Sequence, residues 1–570
     1  MVPDGKSSAS ARDSRRRFLK ALSVSTIIGV TGCTGNQQNS TNNSGGSGSG
    51  NDINTGADTG SGSTSNTQFV NAKTQPLAHL DPHAINDGTM VQLGLVYDTL
   101  FDYEQGDPTT VNPMLATNIE SKNSAQQWVI TLREGVKFDD GTKFNSYAAK
   151  RSLMRTKKLS AGQSKPYDWF ESVDESGSHE ITINCGEAFG PAPAALTFIT
   201  TSMMNPTILD EHWEEKNFGH EYFQTHVHGT GAFQLQNWDK GNTFEATLKQ
   251  ENNWRQNASS DLPANLAIPE RANVTDYRNT IIREQLTQKQ KLARGDIDLA
   301  EDLTWTNINR VIKNDNVSLY DGEPDFYNKY VFMDCQREPM SNVKFRKALA
   351  YAADYKGIAE GLVKTGVPWG TPWAEGIWPR VTEGRYRQNL EKARQMLKET
   401  NYDGRELTFR SIKNPENDKV GQALVANFNE IGINVDHNDI PWSNLYEQLT
   451  SQETMPDLLM YNGWPDYADP NGPAIRYWGE YWPPAGWNTA YYKNEKYDEM
   501  FVKARSSGDK EKRVDLYKKM QQILLDEVPI IWLFQNKYVR AYNNAITNLH
   551  YTPGEFNYLA AHQFAKQTSD

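Results

Sequence analysis

Ten histidines and three cysteines are the residues of this 570-residue chain best suited to hold a metal or act as nucleophile and base. Their spacing argues against both roles. His220 and His226 stand six apart, not the four that would set two imidazoles on one helix face around a hydrolytic metal. His79 and His83 have helical spacing, but Pro82 between them interrupts the helix. His226 and His228 would point the same way on a strand, an arrangement that is commonly structural. No Walker-type phosphate loop, nucleophile elbow or cysteine–histidine catalytic spacing is present. The expectation is no metal, no cofactor and no catalysis. Binding chemistry has better raw material. Trp369, Trp373, Trp378, Trp442, Trp464, Trp478, Trp482 and Trp487 crowd one stretch, mostly in Gly/Pro-rich loops. Indole walls stack on sugar rings or hold apolar side chains, and they also serve as packing.

One cysteine has a different chemistry. Ser14-Arg15-Arg16-Arg17-Phe18-Leu19-Lys20 matches the twin-arginine export pattern, and a short apolar stretch from Ala21 to Val30 follows. That stretch falls short of the ~20 residues a membrane span needs, so it reads as a signal-peptide core. Val30-Thr31-Gly32-Cys33 resembles a lipobox, which makes Cys33 the expected lipidation site. Two acyl chains give a stable anchor where one does not. Thr34 to Thr67 is almost entirely Gly, Ser, Thr, Asn and Gln, a tether with nothing to bury. The formal charge is −12. Residues 1–32 carry six basic and two acidic residues, so the chain without them stands at −16, which argues against nucleic acid as a partner. Cys185 and Cys335 leave pairing open, with no framework of disulfides.

The elements that must position these residues are α/β in pattern. Phe69–Ala72 begins a strand, and Leu93, Leu95 and Val96 give a helical face. Trp128, Ile130 and Leu132 alternate with polar neighbours as a strand does, and Asp140-Gly141 marks a turn within a β-rich segment. Later, Asn389 caps a helix with Leu390, Ala393, Met396 and Leu397 on one face, expected to stop at Asp403-Gly404. Leu407–Ile412 is a strand, and Val420, Leu424, Phe428 and Ile431 line a helix ended by Gly432. Ile433–Val435 and Leu458–Tyr461 are further strands. Strands alternating with helices imply a partly parallel sheet, with ligands beyond its carboxyl ends. The Gly463–Pro470 loop falls there.

Six blocks, in order, resemble the oligopeptide/dipeptide-type (family 5) extracellular solute-binding proteins of ABC importers. They are Leu80-Asp81-Pro82-His83 with Val96-Tyr97-Asp98-Thr99-Leu100; the run Trp128 to Gly141; Gly229-Thr230-Gly231-Ala232-Phe233; Gly295-Asp296-Ile297-Asp298; Val343 to Ala352; and Gly463-Trp464-Pro465-Asp466-Tyr467-Ala468-Asp469-Pro470. The departures are an alanine at Ala232 for proline, no acidic residue after Phe144, and Tyr461 where some peptide binders carry a carboxylate-binding arginine.

The resemblance implies a two-lobed periplasmic-binding-protein-like α/β fold of the cluster C type, with an extra β-rich subdomain and a hinge between lobes. Lobe 1 would comprise residues 68–113, 225–333 and 529–570, the β-rich insertion residues 114–224, and lobe 2 residues 334–528, behind a leader (1–32) and tether (33–67). It implies that Asp466 pairs with a ligand's ammonium group and that Asp469 forms the turn. Trp464, Tyr467, Trp442 and Trp487 are the other expected cleft residues of lobe 2, and Asn86 that of lobe 1. The expected partners are a peptide or similar solute, an ABC permease with its ATPase, and the outer face of the cytoplasmic membrane through the lipid, with the protein a monomer. An oligosaccharide is the alternative ligand; a surface hydrolase or a receptor without a transporter are the alternative functions.

Overall fold

The computed structural model describes residues 67–85, 92–104, 107–161, 168–257, 262–263, 266–463, 465, 467–484, 486–551 and 560–567. After strand β1 (Thr67–Lys73), the chain builds a separate antiparallel sheet from β2 (Ala116–Lys122), β3 (Gln127–Leu132), β4 (Phe170–Gly177) and β5 (Glu180–Cys185), in the spatial order β2-β3-β5-β4. The alternation in β3 is decisive: Trp128, Ile130 and Leu132 are buried and their neighbours are not. Helix Ser146–Leu159 packs on this sheet. Its cap is Asn145, whose side chain accepts from the Ala148 N–H, so the start signal comes from an asparagine instead of an acid in the first turn.

The chain then returns to β1 with β6 (Phe233–Asp239), β7 (Thr243–Leu248), β8 (Val274–Ile281) and β9 (Leu299–Ala300). Next come the long β10 (Val317–Met333), then β11 (Leu407–Ile412), β12 (Val435–Ile440), β13 (Leu458–Gly463) and β14 (Ile530–Asn543). All join one eleven-stranded sheet in the order β12-β11-β13-β10-β14-β9-β1-β8-β7-β6, with Gly366–Pro368 pairing on β14. β11 runs parallel to both β12 and β13, and β1 parallel to β8 and β9; β10 and β14 are antiparallel to each other.

Apolar side chains gather in two large cores. One is built on residues between Phe326 and Phe534, the other on residues from Phe69 to Leu299 together with Ile546, Ala561 and Phe564. β10 and β14 pass between them. The first half of β10 alternates between part-buried and exposed, and from Asn328 to Met333 every residue is buried, as befits a strand covered on both faces. The pairing of β10 with β14 slips at Asp321/Pro324, Pro324/Asn328 and Lys329/Tyr330. The two-lobed fold thus has its lobes joined through a two-stranded ribbon with irregular register.

Several expectations shift. Helix Leu390–Lys398 ends before Asp403-Gly404. The strand expected at Ile433–Val435 runs from Val435 to Ile440 instead; Gly432 takes φ 91°, and Ile433 anchors the turn in the core. Cys185 and Cys335 are free thiols lying in different cores, with burial pushing the first up to about 12 and the second to about 11. His226 and His228 lie in a loop and stack on Tyr222. Among the described residues there is no group of three metal-ligating side chains and no helix long and apolar enough to cross a membrane.

Candidate functional site

The parallel trio β11, β12 and β13 ends at Ile412, Ile440 and Gly463. Each end feeds a different structure. After β11, Asn414 caps α1 (Pro415–Asn429), accepting from the Glu416 and Asn417 N–H groups. After β12, α2 (Trp442–Leu449) begins at once. After β13 comes the Gly463–Pro470 loop.

At these ends the aromatic residues form a wall. The Tyr461 ring stacks on Phe332 at 4.5 Å and lies 6.1 Å from Trp442. Trp442 lies 5.8 Å from Tyr446, one helical turn on, and Tyr446 lies 6.0 Å from Trp487. The Tyr461 hydroxyl is fixed by Thr489 at 2.9 Å. Trp442 and Tyr446 are 43% and 39% exposed, which for such large rings side by side is an apolar surface open to a solute. The structure therefore brings together two of the expected residues, Trp442 and Trp487. The bridging ring, Tyr446, was not anticipated; its signal was the i, i+4 spacing from Trp442.

Trp464, Asp466 and Asn86 lie outside the described residues. The rest of the Gly463–Pro470 loop is held from two sides. Tyr467 is buried in the core built on Phe69 to Leu299, and its hydroxyl accepts from Asn471 Nδ2 at 2.7 Å. Reciprocally, Tyr103 from the N-terminal part is buried in the other core and its hydroxyl accepts from the Ala468 N–H. Asp469 forms the turn, its carboxylate accepting from the Asn471 N–H at 2.8 Å. The same carboxylate pairs with Arg513, both side chains being buried, and Arg513 in turn lies over Trp378.

Two polar clusters need a separate reading. Ser411 on β11 hydrogen-bonds His437 Nε2 at 2.9 Å, and Asp439 lies against the same hydroxyl and 3.4 Å from the same ring nitrogen. A serine nucleophile needs the carboxylate on Nδ1, where it orients the base; here it competes with the base for the hydroxyl proton. The set is a packing network, and burial lowers the His437 pKa. Gly421 in α1 makes room for that ring. The second cluster explains Leu80-Asp81-Pro82-His83. Asp81 caps a short 3₁₀ helix through the His83 N–H and receives both arms of Arg155, at 2.9 and 2.6 Å, and His220 Nδ1 at 2.8 Å. Asp81 and Arg155 are fully buried. Burial opposes ionisation of Asp81, and the Arg155 guanidinium outweighs it, holding the carboxyl far below its usual range.

Residues 110–483 match the profile of the bacterial extracellular solute-binding proteins, family 5 Middle. The chain is 25% identical over 464 residues to the probable D,D-dipeptide-binding periplasmic protein DdpA of Escherichia coli, spanning 80% of this chain and 86% of that protein. It is 27% identical over 489 residues to the glutathione-binding protein GsiB of Salmonella typhi, spanning 83% and 90%. Among solved structures, the periplasmic binding protein DppA of Helicobacter pylori, bound to the peptide STSA, superposes with a TM-score of 0.73 at 19% identity, covering 88% of this chain and 98% of that one. The oligopeptide-binding protein AppA of Bacillus subtilis, bound to a nonapeptide, gives 0.71 at 18%, covering 88% and 99%.

Proposed function

The chain belongs to the bacterial extracellular solute-binding proteins of family 5, and from that premise we propose that it captures a peptide or peptide-like solute between its lobes and delivers it to an ABC permease and its ATPase. The observation that carries this reading is the aromatic wall at the carboxyl ends of a parallel sheet, in which Trp442 and Tyr446 are exposed, Trp487 is half-buried and Tyr461 is buried behind them, where ligands of open α/β folds bind. Such a wall accepts apolar side chains of differing shape. The names of the relatives, a D,D-dipeptide binder and a glutathione binder, support peptide-like chemistry. On this reading Asp466, in the loop that follows β13, pairs with the ligand's ammonium group, Trp464 adds a further ring, and Asn86 contributes from the opposite lobe.

The protein works as a receptor without catalysis, exported by the twin-arginine route, held at the outer face of the cytoplasmic membrane by a lipid on Cys33, and monomeric. Arg15→Lys with Arg16→Lys blocks export, and Cys33→Ser releases the protein or leaves the precursor uncleaved; unchanged membrane attachment of Cys33→Ser refutes the anchor.

The deciding experiment is thermal unfolding with alanine peptides of two to nine residues, D-Ala-D-Ala, glutathione and neutral oligosaccharides. Selective binding to the folded state raises the melting temperature with ligand concentration. Peptides raise it, and Trp442→Ala and Tyr446→Ala weaken the response. A response to oligosaccharides alone makes this a sugar receptor, and the peptide reading fails.

A further inference from the structure

Between β2 and β3 the chain makes a turn that L-residues avoid. Asn123, Ser124 and Ala125 take φ of 49°, 56° and 70° in succession. Left-handed backbone is ordinarily visited by single residues, so three non-glycine residues in a row persist only where the surroundings hold them. The segment after β5 does so. The Phe189 N–H donates to the Ala125 carbonyl at 2.9 Å, and the Phe189 carbonyl accepts from Trp128 Nε1 at 3.0 Å. Phe189 is buried, and its ring stacks on Trp169 at 4.6 Å. The two turns form one rigid edge of the four-stranded sheet.

That edge meets a loop of the other core. Helix Glu495–Arg505 is joined to helix Lys510–Glu527 by Ser506-Ser507-Gly508-Asp509. The Gly190 N–H donates to the Arg505 carbonyl at 2.8 Å, and the Arg505 guanidinium lies 5.3 Å from the centre of the Phe189 ring. Gly190 has to be glycine, since a Cβ there would stand 2.0 Å from the Ser507 carbonyl oxygen. A Cβ on Gly508 would lie 3.5 Å from that of Ala125, in ordinary contact. Ala125 and Phe189 belong to one apolar core and Ala504 to the other, so the contact is a seam between cores. A main-chain hydrogen bond and a cation–π contact together shift an equilibrium about 10-fold, enough to favour a docked state and little enough to release it.

The same segment reaches the candidate site. Asp509 caps helix Lys510–Glu527, and Arg513, one turn in, pairs with Asp469 of the Gly463–Pro470 loop. We propose that the sheet edge is a latch: Ala125 and Phe189-Gly190 dock on residues 505–508 as the lobes close, and this contact, made by residues apart from the aromatic wall, sets how long the solute is held. The latch rests on capture between the lobes as proposed above and gives the four-stranded sheet a part in it.

The test uses the full chain carrying Ala125→Cys and Gly508→Cys together, tri-alanine as the probe, and mild oxidation. Cβ atoms 3.5 Å apart suit a disulfide, and mass spectrometry of a digest verifies that the bridge joins the two introduced residues. The bridge forms about 10-fold faster with tri-alanine present, slows tri-alanine uptake by about 10-fold or more once formed, and releases that block on reduction. Gly190→Ala, whose methyl group prevents docking, lets tri-alanine go about 10-fold faster at an unchanged association rate. Arg505→Gln keeps the carbonyl and loses the charge, and release quickens about 3-fold. Failure of the bridge to form, bridging at one rate with and without tri-alanine, equal uptake by bridged and reduced protein, or parent-like release from Gly190→Ala overturns the latch. Should one variant not fold, the others decide. If tri-alanine does not bind the parent, the peptide reading fails alone, and small-angle scattering decides the latch: a smaller radius of gyration for the bridged than for the reduced variant upholds it, and equal radii overturn it.

Discussion

The Tyr103 hydroxyl accepts a 2.8 Å hydrogen bond from the Ala468 N–H, across 365 residues of sequence. Tyr103 belongs to the N-terminal part yet is buried in the core around β10 and β13, while Tyr467, next to Ala468, is buried in the core around β1. Each lobe lends the other a tyrosine beside the Gly463–Pro470 loop. A hydrogen bond of this kind contributes about 1 kcal/mol net. Tyr103→Phe keeps the packing and removes the acceptor, so peptide affinity falls by about 5-fold. Calorimetry reads the loss; an unchanged affinity means the bond is not part of the ligand-binding state.

Asp469 and Arg513 hold the far side of the same loop. Asp469→Asn keeps the turn, because an amide oxygen also accepts from the Asn471 N–H, but it strands a buried guanidinium. Breaking one side of a buried pair costs about 3–5 kcal/mol. Urea unfolding shows that loss of stability, and a change below 1 kcal/mol argues that the pair is not coupled to folding.

Stability depends on pH through His83. Burial, with the Arg155 charge nearby, lowers its pKa from 6.5 to about 4. The unfolded chain therefore takes up a proton at a pH where the folded protein does not. The stabilisation is complete above pH 6.5 and is lost as pH falls towards 4, by about 3 kcal/mol in all. His83→Gln, which can still donate to the Ser202 carbonyl that His83 Nε2 meets at 2.9 Å, flattens the curve between those limits. Asp81 acts with the same sign at lower pH: its folded pKa is depressed, so its contribution is lost below about pH 4. Denaturant titrations at pH 7, 5 and 3.5 separate the two.

Gly421 reverses an ordinary rule. Alanine in a helix interior is favoured over glycine by about 1 kcal/mol, but a Cβ at this position would lie 2.2 Å from His437 Nε2. Gly421→Ala is therefore destabilising, by roughly 1–3 kcal/mol. Adding His437→Ala removes the clash, and the second substitution recovers stability relative to the first. Additive losses in the double variant refute the steric explanation.

Much of this was legible in local sequence. Asn389 announced a helix start, Trp128, Ile130 and Leu132 a strand, and Gly432 a helix end, because each is a property of neighbouring residues. Trp442 was reachable from its place among the tryptophans that crowd residues 369–487. β12 was mostly missed because Val-Asp-His-Asn-Asp-Ile at a sheet edge lacks the apolar alternation of a covered strand. Tyr446 resembled an ordinary packing residue of α2. Tyr103 and Arg155 act through partners that only the tertiary fold supplies: Arg155 reaches Asp81 across 74 positions, and Tyr103 reaches Ala468 across 365. Local pattern names elements; pairing of distant polar groups is decided by burial, which sequence does not display.

The ribbon of β10 and β14 has a mechanical consequence. Two hydrogen-bonded strands resist stretching and sliding along their length, since either would break the ladder, but they flex readily out of their own plane. Gly322 and Pro324 lie where their register slips, and Lys537 pairs with Asp321 across the slip, so compliance is concentrated in a few residues. Such a flexure allows one angular motion and forbids lateral shear. The line about which the lobes can turn is therefore set by these few residues, at a distance from those that line the cleft.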